Sequence, residues 1–105
     1  MQTIKQSDFQ SFAEFYPYYL QEHGHPTCRR LHFVGTSLVI ATIVAVLATQ
    51  NWVWLWALPV IGYGFAWVGH FFFEHNKPAT FQYPWYSLAG DFVMFKDILV
   101  RRIDW

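Results

Sequence analysis

The feature that most constrains this chain is a run of 43 residues, Leu31 to Phe73, that contains no Asp, Glu, Lys or Arg. A spanning helix rises about 1.5 Å per residue and needs roughly 20 apolar residues, so the run is long enough to cross a bilayer twice. Its middle carries the polar pair Gln50-Asn51, followed by Trp52, Trp54 and Trp56, and indoles gather at headgroup boundaries. The pattern predicts a helical hairpin, with one helix from about Thr27 to Thr49 and the other from about Trp52 to Glu74. Pro59 is expected mid-span, where neighbouring groups must satisfy the freed carbonyl. The turn is uncharged, whereas Arg29, Arg30 and Lys77 stand at the other end. The positive-inside rule then places both hairpin ends in the cytoplasm, in the inner membrane if the source is bacterial.

Outside the hairpin the chain is polar and aromatic. Ser7-Asp8-Phe9-Gln10 fits a capping box, and Phe9, Phe12, Tyr16 and Tyr19 recur at helical spacing, which predicts an amphipathic helix in the membrane interface. Pro17 is expected to kink or end it. Gly24 and Pro26 mark a turn, with Pro26 suited to the first turn of the next helix. A last apolar segment, from about Pro84 to Arg101, carries Asp91, Lys96 and Asp97. That charge suits a shallow helix packed on the cytoplasmic side better than a third crossing. The first 30 residues do not read as a cleavable signal, so the first span is expected to act as the insertion signal. The fold class is all-α, an integral membrane helical bundle forming one domain over residues 1–105. Net charge is zero with no basic stripe, which argues against nucleic acid as a partner. Cys28 stands alone, so no intramolecular disulfide forms; it reads as a packed, reduced thiol, with reactivity beside Arg29 as the alternative.

All five histidines fall near one end of the hairpin. His32 lies 18.5 residues before the turn midpoint and His70 19.5 after it, so their depths differ by only about 1.5 Å. They can face each other, and His23 and His25 can reach the same point from just outside the span. On the second helix Gly62, Ala66 and His70 follow at intervals of four, with Glu74 continuing the row. Small residues at that spacing let helices approach closely, which turns His70 towards protein. Ionisable residues at membrane depth are costly unless paired, so several converging on one point suggest a site. Imidazoles suit Fe, Zn or Cu, and two or three His with one carboxylate suit non-haem Fe(II). The bland alternative is that each His bonds a backbone carbonyl or a headgroup. His75 is expected to be solvated. Asp91 either reaches the site or pairs with Arg29 or Arg30.

The segments YLQEHGHPTCRRLHFVGT, FAWVGHFFFEHNKPATF and SLAGDFVMF resemble the family of small membrane proteins related to the 2-hydroxy-palmitic acid dioxygenase of yeast. The resemblance covers about Phe15 to Ile98. It implies an Fe(II)-dependent oxygenase that shortens a 2-hydroxy fatty acid by one carbon in alpha-oxidation, with O2 and membrane lipid as its other partners. The family's histidines fall on His23, His32 and His70, and Glu74 and Lys77-Pro78-Ala79 match the segment that follows. Glu74 is then either a metal ligand or an orienting partner. His25 stands where relatives often have Asn, which places it beside the metal ligands or against the substrate head group. Arg29, Arg30 or Lys77 could hold the substrate carboxylate. The chain is shorter than eukaryotic members between its two halves, which leaves the substrate and its chain length open. Two other classes compete: a membrane scaffold that binds lipid or a partner, and a haem-binding electron carrier using His32 and His70 as axial ligands.

Overall fold

The computed structural model describes residues 9–105, the side chain of Thr80 excepted. Among these residues the secondary structure is entirely helical: α1 (Phe12–Gln21), α2 (Pro26–Thr49), a 3-10 turn (Trp52–Trp56), α3 (Ala57–Val68), a π-helical turn (Gly69–Glu74), a short 3-10 turn (Ala79–Phe81) and α4 (Pro84–Leu99). The hairpin is α2 followed by α3 with its 3-10 and π flanks. Pro26 opens α2 at N1, where its missing N–H costs no bond. Gln50 closes the helix in the left-handed region, φ 59°, its N–H reaching the Val46 carbonyl.

Both hairpin segments are long and apolar enough to cross a membrane, and only 22% and 6% of their most apolar windows are buried within the protein. A core helix of a soluble protein would be covered; these present Val44, Leu47, Val60 and Phe72 outward. The inward side of α2 is a narrow stripe of Cys28, His32, Gly35 and Thr36. Contact with the second segment is made at two glycines. A Cβ at Gly35 would stand 2.8 Å from the Phe65 Cβ, and one at Gly69 would stand 2.9 Å from the Cys28 Sγ. The expected row of Gly62 and Ala66 is therefore not the tightest seam: both are half-buried, and a Cβ at Gly62 would meet only Val39, at 3.7 Å. Pro59 is not mid-span either. It sits in the first turn of α3, just past the 3-10 turn, where a helix N–H has no acceptor within the helix.

The Ser7-Asp8 part of the expected cap lies outside the described residues. Ser11 is the N-cap of α1: its Oγ accepts from the Glu14 N–H at 3.2 Å, and the Glu14 carboxylate accepts from the Gln10 N–H at 2.6 Å. Pro17 neither ends α1 nor stops its last turn; Ala13, whose carbonyl it leaves free, is exposed. The apolar face of α1 turns into the protein rather than lying on lipid. Phe15 and Tyr19 are buried against Tyr83, Met94 and Ile98 around α4. Gly90 permits this crossing, since a Cβ there would lie 2.9 Å from the Tyr19 ring. Helix α4 packs on α1 and α2, and residues beyond it fold back so that Trp105 lies beside Phe33 and under the Arg30 guanidinium.

The two glycine environments on the hairpin make opposite predictions. Gly35→Ala puts a methyl against a Cβ fixed to the facing backbone, so it should lower stability by about 1–3 kcal/mol. Gly64→Ala meets no atom within 4 Å and should be neutral or stabilising by up to about 1 kcal/mol. Thermal unfolding of the two variants in detergent compares them directly.

Candidate functional site

Three imidazoles from three segments meet at one end of the hairpin. His23 comes from the turn after α1, His32 from the second turn of α2 and His70 from the π-helical turn, and all three are buried. The His23 Nε2 lies 3.0 Å from the Nε2 of His32 and 3.0 Å from that of His70. Ring centroids of His32 and His70 are 4.9 Å apart, in keeping with the equal depths counted along the sequence.

The opposite ring nitrogens fix the tautomers. His23 Nδ1 donates to the Tyr19 carbonyl at 2.7 Å and His32 Nδ1 to the Cys28 carbonyl at 2.8 Å. His70 Nδ1 is 2.8 Å from the Asn76 Oδ1, and the Asn76 Nδ2 is directed at the Glu22 carbonyl, so the oxygen is the atom that faces the ring. Each Nδ1 thus carries a proton committed to an oxygen. Each Nε2 is left with a lone pair, and the lone pairs converge without a proton between them. Burial, reinforced by His32 and His70, holds the His23 imidazole well below its ordinary protonation range. Three acceptors at this separation repel one another unless a cation joins them. Two nitrogens 3.0 Å apart can each stand about 2.1 Å from one ion, the usual metal–imidazole distance.

Cys28 completes the group. The donor atoms of His23, Cys28, His32 and His70 all lie within 4.8 Å of one another, and these four buried residues can hold a metal ion. The thiol lies 3.6 Å from the Nδ1 of His32, the ring nitrogen turned away from the Nε2 group. From the sequence Cys28 reads as a packed thiol, with reactivity beside Arg29 as the alternative. Its signal was the spacing Cys28 to His32, four residues on one helix, which puts both on one face.

Glu74 is not brought into this group. Its carboxylate accepts a hydrogen bond from the His25 backbone N–H, at the start of α2, where the helix dipole favours a negative charge. His25 itself is exposed and caps α2, its Nδ1 accepting from the Thr27 N–H at 3.1 Å. Arg29 bonds the Gly24 carbonyl at 2.7 Å, and Arg30 bonds the Trp105 carbonyl at 3.2 Å. Lys77 and His75 are exposed. Asp91 pairs with neither arginine. It accepts from the Tyr19 hydroxyl at 2.5 Å and lines a cavity next to His32; burial pushes its carboxyl up to about 6. Haem ligation through His32 and His70 does not suit this arrangement, because the His23 Nε2 occupies the space between them that a macrocycle would need.

Asn76 was not singled out from the sequence. It follows His75, whose left-handed backbone, φ 57°, ends the π turn and folds the chain back onto His70. No spacing rule announces such a return. Tyr19 was assigned only to an apolar face, yet it both accepts from His23 through its carbonyl and stacks on that ring at 4.0 Å. Beside the cluster a cavity of about 480 Å³ runs between α2, α3 and α4. His32 lines its histidine end, Asp91 is tied to that end through Tyr19, which bonds it and stacks on His23, and Val39, Ile43, Leu58 and Leu88 also line the cavity.

The fold and site define an all-helical protein with two segments apolar enough for a membrane and a buried histidine cluster able to bind metal. The family described as 2-hydroxy-palmitic acid dioxygenase Mpo1-like matches residues 9–103, and the chain belongs to that family. No curated protein and no solved structure matches the chain.

Removing the oxygen that fixes the His70 tautomer should weaken metal retention by about 10–100-fold, the usual effect of losing such a partner. Asn76→Leu tests this in a chelator competition on detergent-purified protein. Glu74→Gln, which leaves the nitrogen triangle intact, should retain metal like the unaltered chain.

Proposed function

We propose that this protein is an Fe(II)-dependent dioxygenase of the membrane that removes one carbon from 2-hydroxy fatty acids, with His23, His32 and His70 as the metal ligands. The observation that carries this reading is the convergence of three Nε2 lone pairs with every Nδ1 proton committed elsewhere. That arrangement favours a cation over a hydrogen-bonded core. Membership of the dioxygenase family supplies the reaction and the substrate class. The net change balances without a further reductant: RCH(OH)COOH and O2 give RCOOH, CO2 and water, the C1–C2 bond being broken.

Fe(II), when bound, would supply the activation of O2. The chain's own residues hold and shield it. Tyr19, Cys28 and Asn76 orient the three rings through their carbonyl oxygens, so that each ring offers Nε2 without reorganising. Burial of His23, His32 and His70 keeps bulk water from the reacting atoms. The apolar cavity beside His32 is the natural seat for an acyl chain. With α2 and α3 spanning the membrane and the basic residues in the cytoplasm, the centre lies at the cytoplasmic rim of the bilayer.

Elemental analysis of detergent-purified protein should find a transition metal, lost in His23→Ala, His32→Ala and His70→Ala. Protein free of Fe, Zn and Cu, and indifferent to those substitutions, would remove the metal reading. Iron-loaded protein given a labelled 2-hydroxy fatty acid should yield an acid one carbon shorter, only in the presence of O2. An iron-loaded sample that makes no such product would point instead to a membrane scaffold.

A further inference from the structure

The cavity beside the cluster has a polar end and an apolar length. On α2 its wall is His32, Thr36, Val39 and Ile43, one face of the helix. From His32 to Ile43 is 11 residues, or about 16 Å of helix. An extended alkyl chain advances about 1.25 Å per carbon, the projection of a C–C bond of about 1.5 Å. The wall therefore matches about a dozen methylenes. At the polar end Asp91 is the one carboxyl group among the lining residues. It receives a hydrogen bond from the Tyr19 hydroxyl on Oδ1, and among the described residues no other group donates to this carboxylate. A carboxylate has about four acceptor positions, so Asp91 stands in an apolar cavity with acceptor capacity left over.

We infer that Asp91 is the group that recognises the substrate's 2-hydroxyl, in a slot that seats the acyl chain between α2, α3 and α4. The inference rests on the substrate class proposed above. The hydroxyl sits on the carbon next to the carboxyl group, so a chain with its head at the histidine end carries this O–H at the same end of the slot as Asp91. An unsubstituted fatty acid fills the same apolar slot but leaves Asp91 unmatched, and a site built to bond a hydroxyl discriminates against the analogue that lacks it. The Tyr19 bond holds the carboxyl in place from behind, and Tyr19 also stacks on His23. Asp91 is thus a specificity-determining residue rather than a ligand.

The test is binding, read by the fluorescence of Trp85, which lines the cavity, in a variant whose other five tryptophans are replaced by Phe. It uses chelator-treated protein in detergent and a 14-carbon 2-hydroxy acid against the 14-carbon unsubstituted acid. The 2-hydroxy acid should bind at least tenfold tighter. Asp91→Ala should abolish that preference while leaving the unsubstituted acid's affinity within about threefold. Should Asp91→Ala not extract as folded protein, Asp91→Asn keeps an oxygen for Tyr19 and should still cut the preference severalfold. Across 2-hydroxy acids of 8 to 16 carbons, affinity should rise about fourfold per methylene and then level off once the slot is filled. Ile43→Phe, which adds bulk to the far end of the slot without adding a second tryptophan, should move that plateau to shorter chains. Equal affinity for the two acids, or a preference that survives in both Asp91 variants, would overturn the inference. Because no metal is present in the assay, a protein that proves not to bind metal leaves this result interpretable by itself.

Discussion

Three lone pairs directed at one point are the constraint around which this molecule is arranged. Neutral imidazole has one donor and one acceptor nitrogen, and here the donor of each ring is taken by a carbonyl oxygen from its own vicinity: Tyr19 for His23, Cys28 for His32, Asn76 for His70. The acceptor of His23 is then left 3.0 Å from those of His32 and His70. In a buried setting such an arrangement is unfavourable by itself, and its persistence depends on the helices that enforce it. Gly69 lets the π turn close on Cys28, Gly90 lets Tyr19 approach α4, and Glu74 ties the π turn to the start of α2.

That arrangement gives each element a second duty. Helix α1 packs an aromatic face on α4, and the same packing delivers His23 through the carbonyl and ring of Tyr19. Helix α2 presents His32 to the cluster and, further along the same face, the wall of the cavity. Helix α4 closes the cavity and brings Asp91 into its lining. The π turn widens the end of the second span where a regular helix would continue, and such turns recur at functional sites. Arg29 and Arg30 hold backbone carbonyls of the neighbouring turn and of the folded-back end.

The family and the geometry speak to different parts of the reading. Membership in the dioxygenase family names a reaction and a substrate. The geometry accounts for how a chain this small could keep three neutral imidazoles poised without bulk water. The cavity adds shape: its wall on α2 runs about 16 Å from His32 to Ile43, and one carboxyl group, Asp91, stands in its lining.

The hairpin was legible in the sequence because it depends on composition alone: an uncharged run of 43 residues has few options beyond two apolar helices with a polar turn. Equal depth of His32 and His70 was legible too, since a helix has a fixed rise and both could be counted from one turn. What one face of a helix meets was not. The closest approaches fell at Gly35 and Gly69 rather than along Gly62 and Ala66, because crossing geometry depends on every side chain in both helices. Glu74 reads by spacing as a ligand or as an orienting partner of His70, and in the folded chain its carboxylate takes the His25 N–H at the start of α2. Cys28, Asn76 and Tyr19 entered the site through packing and a left-handed turn. Periodicity places a residue along and around its own helix; only the packed chain decides which carbonyl or ring it finds there.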